Sequence, residues 1–298
     1  MPRVAVVGPG AVGTVFAAAL QSTERHEIIL CSRRAAVHPM IVEREDGYLE
    51  ELQAVTMTSP ESLAGPGDWV ILAVKAHQVP TTEAWLRALC SPKTTVVVLQ
   101  NGIEHRLLTA PLVGDATVLP AIVWTPAERV GLNTVRSPRG VRASVPNEPA
   151  GYEFADLMAG GNAEIAVTED FMSQAWQKLC INAVAGLMAV VGCRAGVFRH
   201  RATRDLAFRL AEECAHVGRA VGASLPSNLP EQIVDDLVGM PAEMGTSILF
   251  DRLAGRPLEW EARNEVIQRL GRTHGIATPV SDVIVPLLDA LSGYGCVQ

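Results

Sequence analysis

Three glycines near the start of the chain constrain its fold more than any other feature. They belong to the stretch GPGAVG at residues 8–13, which has the spacing G-x-G-x-x-G and directly follows an apolar, β-branched run at 3–7. A helix-compatible run of small and apolar residues continues over 11–21, and a second apolar run covers 26–31. This order of strand, glycine turn, helix and strand predicts a βαβ unit.

Each glycine has a separate physical task in such a unit. The first permits a tight turn, the second lets a pyrophosphate approach the backbone, and the third allows helix and strand to pack closely. The free amides of the helix N-terminus then face the anion. A turn that only needs positive φ angles is the alternative, but the combined context favours a dinucleotide. The expected cofactor contacts are Gly8, Gly10, Ala11, Val12 and Gly13.

The end of the second strand indicates which dinucleotide is bound. An NAD-binding unit places an acid about 20 residues after the glycines, where it hydrogen-bonds the ribose 2′-hydroxyl. This chain has the sequence CSRR at 31–34 instead. Two cations and a hydroxyl suit a 2′-phosphate, so we predict NADP(H) with Ser32 and Arg33 as contacts. A solvated surface arginine pair is the alternative.

Strands and helices continue to alternate over the first half of the chain. Apolar runs at 68–74 and 94–100 flank a helical pattern at 81–90. Because apolar and polar residues do not alternate in these runs, they are expected to be fully buried parallel strands. Further strands are expected at 117–128 and 140–146, separated by a segment whose Gly, Asn, Ser and Pro residues indicate turns.

The pattern changes after Val167. A long helical periodicity covers 168–192, and Thr168 with two acids suits the start of this helix. Further helical patterns occupy 201–222, 230–238, 242–253, 257–274 and 279–291. We therefore predict an α/β chain with a Rossmann-type parallel-sheet domain that binds the dinucleotide at 1–167, followed by an all-helical domain for substrate and catalysis at 168–298.

Composition excludes several other functions. A net charge of −7 over 298 residues argues against a nucleic-acid surface. The first residues lack the features of a secretory signal, and the apolar stretch around 179–193 stops short of a bilayer span. We expect a cytoplasmic protein. Six cysteines without a C-x-x-C pair and seven histidines without ligand spacing predict no metal site and buried, reduced thiols.

Polar residues at two strand ends are candidates for ligand binding. Lys75 follows the strand at 68–74, while Gln100 and Asn101 end the strand at 94–100. Ligands of open α/β sheets bind at the carboxyl ends of the strands. We therefore expect all three residues beside the cofactor, with Asn101 also near the substrate. A solvated loop amine is the alternative for Lys75.

The long helix carries a polar stripe. Lys178 and Asn182 lie four residues apart on one face, where Gly186 comes next. A lysine that a substrate covers can protonate the alkoxide that forms when hydride reduces a carbonyl. A lysine that extends along the helix to water is the plain alternative.

Two later helices carry further polar residues. Ser247 and Asp251 lie one turn apart on the first, and Glu259 and Asn264 lie on the second. Acidic residues on helices are mostly solvated, so spacing alone assigns Glu259 no function.

Six motifs in a fixed order carry a resemblance to a known family. They are VAVVGPGAVG, AVKAHQV, VLQNG, WQKLCINA, TSILFDRLAGRPLEWEARN and HGIATP. Over nearly the whole chain they resemble the ketopantoate reductase (2-dehydropantoate 2-reductase) family. The resemblance implies NADPH, a small 2-keto acid as substrate and a role in pantothenate biosynthesis. It also implies Lys178 as the catalytic acid, Glu259 as its carboxylate partner, Lys75 beside the cofactor, and substrate contacts from Asn101, Asn182, Ser247 and Glu259.

One position departs from the family pattern, which implies a second asparagine where this chain has Gly186. The loss of an amide and the gain of volume favour a 2-keto acid larger or less polar than ketopantoate. In the alternative, a neighbouring residue or water replaces the amide and ketopantoate remains the substrate. A β-hydroxyacid dehydrogenase and a non-catalytic NADP sensor or scaffold are the other candidates. The expected assembly is a monomer or a homodimer.

Overall fold

The computed structural model describes residues 1–34 and 39–293. They form two compact units. The first comprises residues 1–100 and 104–171, and the second comprises 101–103 together with the chain from Met172 onward. The expected domain boundary, between residues 167 and 168, falls inside the last strand of the first unit, because Thr168 still pairs with Pro146.

The first unit contains strands and a few helices. In chain order its strands are β1 (Arg3–Val7), β2 (Glu27–Cys31), β3 (Met40–Glu43), β4 (Leu49–Leu52), β5 (Val55–Met57), β6 (Trp69–Leu72), β7 (Thr95–Val98), β8 (Thr117–Pro120), β9 (Ile122–Val123), β10 (Glu128–Arg129), β11 (Thr134–Arg136), β12 (Val141–Pro146) and β13 (Ala163–Thr168). Its helices are α1 (Ala11–Gln21), α2 (Glu83–Leu89), α3 (His105–Val113) and α4 (Pro149–Met158). Short 3₁₀ segments cover Pro60–Ser62 and Ala76–Thr82.

Six strands form a parallel sheet in the order β5-β2-β1-β6-β7-β8. In register, Val4 of β1 pairs with Ile28 on one side and Trp69 on the other. Strands β6 and β7 are buried throughout, and separate apolar cores cover the two faces of the sheet. Near-continuous apolar runs form such strands because neither face meets water. The predicted Rossmann-type sheet is confirmed.

Two smaller sheets complete the first unit, in the orders β10-β11-β3-β4 and β13-β12-β9. The segment 129–140 that the sequence analysis assigned to turns is therefore partly strand, since β11 pairs in parallel with β3. Only Val135 of β11 is buried. A three-residue strand with one buried side chain has too little periodicity to outweigh the turn residues around it.

The described part of the second unit is helical. Its elements are α5 (Phe171–Val191), a 3₁₀ segment (Ala195–Arg199), α6 (Arg201–Ala220), α7 (Leu229–Gly239), α8 (Ser247–Leu253), a π-helical turn (Glu261–Glu265), α9 (Val266–His274) and α10 (Ser281–Gly293). The predicted helical second half is confirmed. Three starts differ clearly. Helix α5 begins three residues after Thr168, which ends β13, and α8 begins at Ser247 where a start at 242 was expected. The range 257–274 expected as one helix contains the π-helical turn before α9 begins at Val266.

The burial of the cysteines and the character of the helices can be compared with the expectations from the sequence. Cys31, Cys180 and Cys214 are buried free thiols, whereas Cys193 is exposed because it follows the end of α5. The expectation that every cysteine is buried is therefore wrong at Cys193 and only partly met at the half-buried Cys90. Cys296 lies outside the described residues. Within residues 1–34 and 39–293, none of the helices has the length and apolar character that crossing a bilayer requires.

Candidate functional site

In the glycine turn between β1 and α1, two of the three glycines leave no room for a side chain, and the third borders open space. Gly8 has φ +86°, and a Cβ there would lie 2.5 Å from Cγ1 of Val74. A Cβ on Gly13 would lie 2.6 Å from the Gly8 carbonyl oxygen. A Cβ on Gly10, which caps α1, would meet only that oxygen, at 3.9 Å. The first and third glycines thus serve packing, and the second leaves an open helix N-terminus suited to an anion.

Arg129 also reaches the glycine turn. Its Nη2 donates to the Pro9 carbonyl oxygen at 2.9 Å, and its Nη1 donates to the Leu132 carbonyl oxygen at 3.0 Å. Partial burial lowers the pKa of this guanidinium. Sequence reasoning missed Arg129, since a single arginine in a turn-rich segment gives no signal. It places a cation where a phosphate would approach the turn.

The expected contacts for the adenine end of the cofactor lie after β2. Ser32 is half-buried, and its Oγ accepts a hydrogen bond from the Arg34 backbone amide at 3.3 Å. The Arg33 side chain is exposed. A hydroxyl beside two arginines, with no acid among them, suits a 2′-phosphate better than a free 2′-hydroxyl.

Lys75 and Gln100 lie at the carboxyl ends of neighbouring strands, as the sequence indicated. Lys75 precedes the 3₁₀ segment after β6, and its backbone amide donates to Oε1 of Gln78 at 3.3 Å. Gln100 is buried, yet within the described residues neither its Oε1 nor its Nε2 has a hydrogen-bond partner. An unsatisfied buried amide costs about 1–3 kcal/mol, so a ligand with donors and acceptors would offset this cost.

A chain of amides leads to the carboxylate of Glu259 in the second unit. Asn182 Nδ2 donates to Asn101 Oδ1 at 3.2 Å, and Asn101 Nδ2 donates to Glu259 Oε2 at 3.1 Å. Asn182 and Glu259 are buried. The neighbouring Gly102 has φ +104°, and a Cβ there would lie 3.0 Å from the Ala262 carbonyl oxygen. Residues 101–103 therefore pack tightly against the segment that carries Glu259.

Arg263 joins Ser247 to this group. Its Nη2 lies 2.9 Å from Ser247 Oγ and 3.4 Å from Glu259 Oε2. The Arg263 side chain is 2% exposed and belongs to the π-helical turn. Sequence reasoning missed it because a Glu and an Arg four residues apart normally predict a solvated helical ion pair. Asp251, which shares the Ser247 helix, instead pairs with Arg256 at 2.9 Å.

Lys178 lies on α5, on the same face as Asn182. Burial, with the nearby positive charge of Arg263 as a second cause, lowers the pKa of Lys178 from 10.5 to about 8. Both causes disfavour the charged amine. Such an amine gives up its proton more readily than a solvated lysine and can act as a general acid near neutral pH.

The volume beside Gly186 is occupied by Asn264. A Cβ on Gly186 would lie 3.1 Å from Asn264 Oδ1 and 3.4 Å from its Nδ2. That Nδ2 donates to the Ala183 carbonyl oxygen at 3.1 Å, while Oδ1 has no partner among the described residues. The side chain of Asn264 therefore occupies part of the extra room expected at Gly186.

Family models match both halves of the chain. One described as "Ketopantoate reductase PanE/ApbA" matches residues 4–143, and one described as "Ketopantoate reductase PanE/ApbA C terminal" matches residues 170–292. A 2-dehydropantoate 2-reductase of Mycobacterium tuberculosis is 42% identical over 291 residues, which is 97% of each chain. One of Caulobacter vibrioides is 40% identical over 293 residues, covering 97% of this chain and 99% of the relative.

Solved structures agree with this assignment. The dimeric ketopantoate reductase of Staphylococcus aureus is 26% identical and has a TM-score of 0.86 over 97% of this chain and 98% of its own. At 20% identity, D-mandelate dehydrogenase solved with NADH shares the fold, with a TM-score of 0.84 over 97% and 98% of the two chains. The chain belongs to the ketopantoate reductase family and is an oxidoreductase that acts on CH–OH groups.

Proposed function

We propose that this enzyme reduces the 2-keto group of ketopantoate to give pantoate, with NADPH as the reductant. The observation that carries the proposal is the group formed by Lys178, whose pKa is lowered to about 8, and the hydrogen-bonded chain from the buried Asn182 through Asn101 to the buried Glu259. The two relatives at 40% and 42% identity, both named 2-dehydropantoate 2-reductase, support this substrate.

The glycine turn and the strand ends of the first unit fit the cofactor. The open N-terminus of α1 at Gly10 would take the pyrophosphate, and Gln100 would offer its unpartnered amide to the ribose and nicotinamide part. Arg33 would select the 2′-phosphate. The remaining proposed contacts are Gly8, Ala11, Val12, Gly13, Ser32, Lys75 and Asn101. When bound, the nicotinamide supplies the hydride that adds to the carbonyl carbon.

The second unit would bind the keto acid and donate the proton to it. Lys178 donates its proton to the carbonyl oxygen as negative charge develops there, and the neutral amine then recovers a proton from solvent. A general acid of this kind contributes about 10²–10⁴-fold to the rate. Asn101, Asn182 and Ser247 offer hydrogen bonds to the substrate. Glu259 orients Asn101 by accepting a hydrogen bond from its side-chain amide.

The alternatives of the sequence analysis differ in their support. A bulkier 2-keto acid was suggested by Gly186, but Asn264 fills the volume beside this glycine. Ketopantoate therefore remains the first candidate. A β-hydroxyacid dehydrogenase would oxidise a 3-hydroxy acid and form NADPH, whereas the proposed reaction consumes it.

The proposed reaction is tested with purified enzyme, NADPH or NADH, and a panel that includes ketopantoate, bulkier 2-keto acids and 3-hydroxy acids. We expect ketopantoate-dependent oxidation of NADPH, with pantoate identified by mass spectrometry. Arg33→Ala should reduce the preference for NADPH over NADH, because it removes a cation from the proposed 2′-phosphate site. An enzyme that binds NADPH but oxidises it with none of the 2-keto acids would overturn the proposal.

A further inference from the structure

Arg263 is a buried cation that the proposed reaction does not use. Its side chain is 2% exposed, and burying a guanidinium costs several kcal/mol unless its charge is balanced and its donors are bonded. It lies in the π-helical turn at 261–265. Such turns are rare and occur frequently at functional sites, because the extra residue changes the direction of the side chains that follow.

The bonds of Arg263 favour a role in arranging its neighbours over a role in stability alone. Its Nη2 donates to Ser247 Oγ and, at 3.4 Å, to Glu259 Oε2. Its Nε has no hydrogen-bond partner within residues 1–34 and 39–293. An arginine retained for stability alone would be expected to satisfy its buried donors.

The direction of the bond to Ser247 has a chemical consequence. Arginine has donors only, so the Ser247 oxygen must accept. The hydroxyl proton of Ser247 is then left to donate to a ligand oxygen. Ser247 begins α8 and is exposed, so a ligand has access to it. Arg263 thus makes this hydroxyl a donor for an anionic or carbonyl oxygen.

The positive charge of Arg263 also affects Lys178. The charged groups of the described site are Lys178 on α5, Arg263 in the π-helical turn and Glu259 four residues before Arg263. Arg263 pairs with Glu259 at 3.4 Å, and Lys178 lies close enough for the charge of Arg263 to act on its amine. A permanent charge in a partly buried site acts over several ångströms, since screening by water and salt is weak there.

We infer that Arg263 is a positioning residue: its guanidinium fixes the Ser247 hydroxyl and the Glu259 carboxylate, and it gives the site of Lys178 a permanent positive charge. The lowered pKa of Lys178, to which Arg263 contributes after burial, supports this inference. Its consequence for catalysis rests on the proposed function, but its effect on the Lys178 amine does not.

The first test needs no turnover. The chain has three lysines, at 75, 93 and 178, so NMR of protein labelled with ¹³C at lysine Cε gives three signals, and Lys178→Met assigns the one of interest. Arg263→Met should raise the titration midpoint of Lys178 by about one pH unit. Arg263→Lys keeps the cation and should leave the midpoint near that of the native enzyme. Arg272→Met removes an exposed arginine from α9 and is the matched control.

The second test separates positioning from charge by steady-state kinetics. Arg263→Lys should raise KM for ketopantoate about tenfold, because the shorter lysine side chain does not bring its ammonium to the position of Nη2, from which both bonds are made. Arg263→Met should raise KM similarly and also move the alkaline limb of the pH profile upward. Combining Arg263→Met with Ser247→Ala should raise KM less than the product of the single effects, since both remove the same oriented hydroxyl.

The outcomes distinguish this inference from the proposed function. A native enzyme without keto-acid reductase activity overturns the proposed function, while the lysine titration still decides whether Arg263 acts on Lys178. If Arg263→Lys has native KM, the positioning role is overturned, even where Arg263→Met does not fold. If Arg263→Met folds and leaves the Lys178 titration unchanged, the effect of its charge is overturned.

Discussion

Asn101 Nδ2 donates to Glu259 Oε2 over 3.1 Å, although 158 positions separate the two residues in the chain. Asn101 follows β7 of the parallel sheet, yet it belongs to the helical unit by its contacts. The Asn101 amide, which follows a buried strand, is therefore hydrogen-bonded to the Glu259 carboxylate of the candidate substrate site.

Glu259→Gln is expected to lower kcat/KM for ketopantoate about 10–100-fold. Hydrogen bonds to a charged group contribute about 1.5–3 kcal/mol each, and the substitution weakens those from Asn101 and Arg263. Glu261→Gln, an exposed neighbour, is the matched control. NADPH affinity, measured by fluorescence titration, should be the same in both variants. A native value of kcat/KM in Glu259→Gln would show that the carboxylate has no role in the reaction.

The pH dependence of kcat/KM should show a limb on the alkaline side. Lys178 acts as an acid only when protonated, and its pKa is lowered to about 8 by burial and by Arg263. Activity is therefore present below that pH and should fall about tenfold per pH unit above it. The profile is measured with NADPH saturating and ketopantoate well below KM. A limb near the ordinary lysine value of 10.5 would contradict the assignment.

Arg129→Met should weaken the binding of NADPH and of NADH by a similar factor, about 3–10-fold. The guanidinium supports the glycine turn through the Pro9 carbonyl oxygen, and one such bond contributes about 0.5–1.5 kcal/mol. The exposed Arg139→Met changes charge by the same amount and is the control. Isothermal titration measures both affinities. If only NADPH binding weakens, Arg129 acts on the 2′-phosphate and not on the turn.

Gly186→Asn should destabilise the protein, because the new side chain would enter the volume of the Asn264 carboxamide. Overpacking of a core costs about 1–3 kcal/mol, so Tm should fall by several degrees. Adding Asn264→Ala should recover part of this loss, as expected for two residues that share one space. A native Tm for Gly186→Asn would show that Asn264 moves aside without cost.

The sequence predicted the parallel sheet and the helical second half because both follow from local periodicity. Strands β1, β6 and β7 are unbroken apolar runs, and α6 follows a long amphipathic pattern. The short β11 was missed, since its pairing with β3 depends on residues more than 90 positions away.

The candidate site was less predictable. Lys178, Asn182 and Glu259 were predicted from their spacing on a helix or from family motifs. Arg263 and Arg129 were not, because both act through bonds to residues that the local sequence does not reveal, and Arg263 in addition through its burial. Likewise, the side chain that fills the space beside Gly186 comes from a distant turn.

The most direct test of the central claim is single-turnover oxidation of NADPH by ketopantoate, measured by rapid mixing at neutral pH in the native enzyme and in Lys178→Met. We predict that the chemical step slows by about 10²–10⁴-fold while NADPH affinity is unchanged. A Lys178→Met enzyme that reduces ketopantoate at the native rate would contradict the role of this amine as the proton donor.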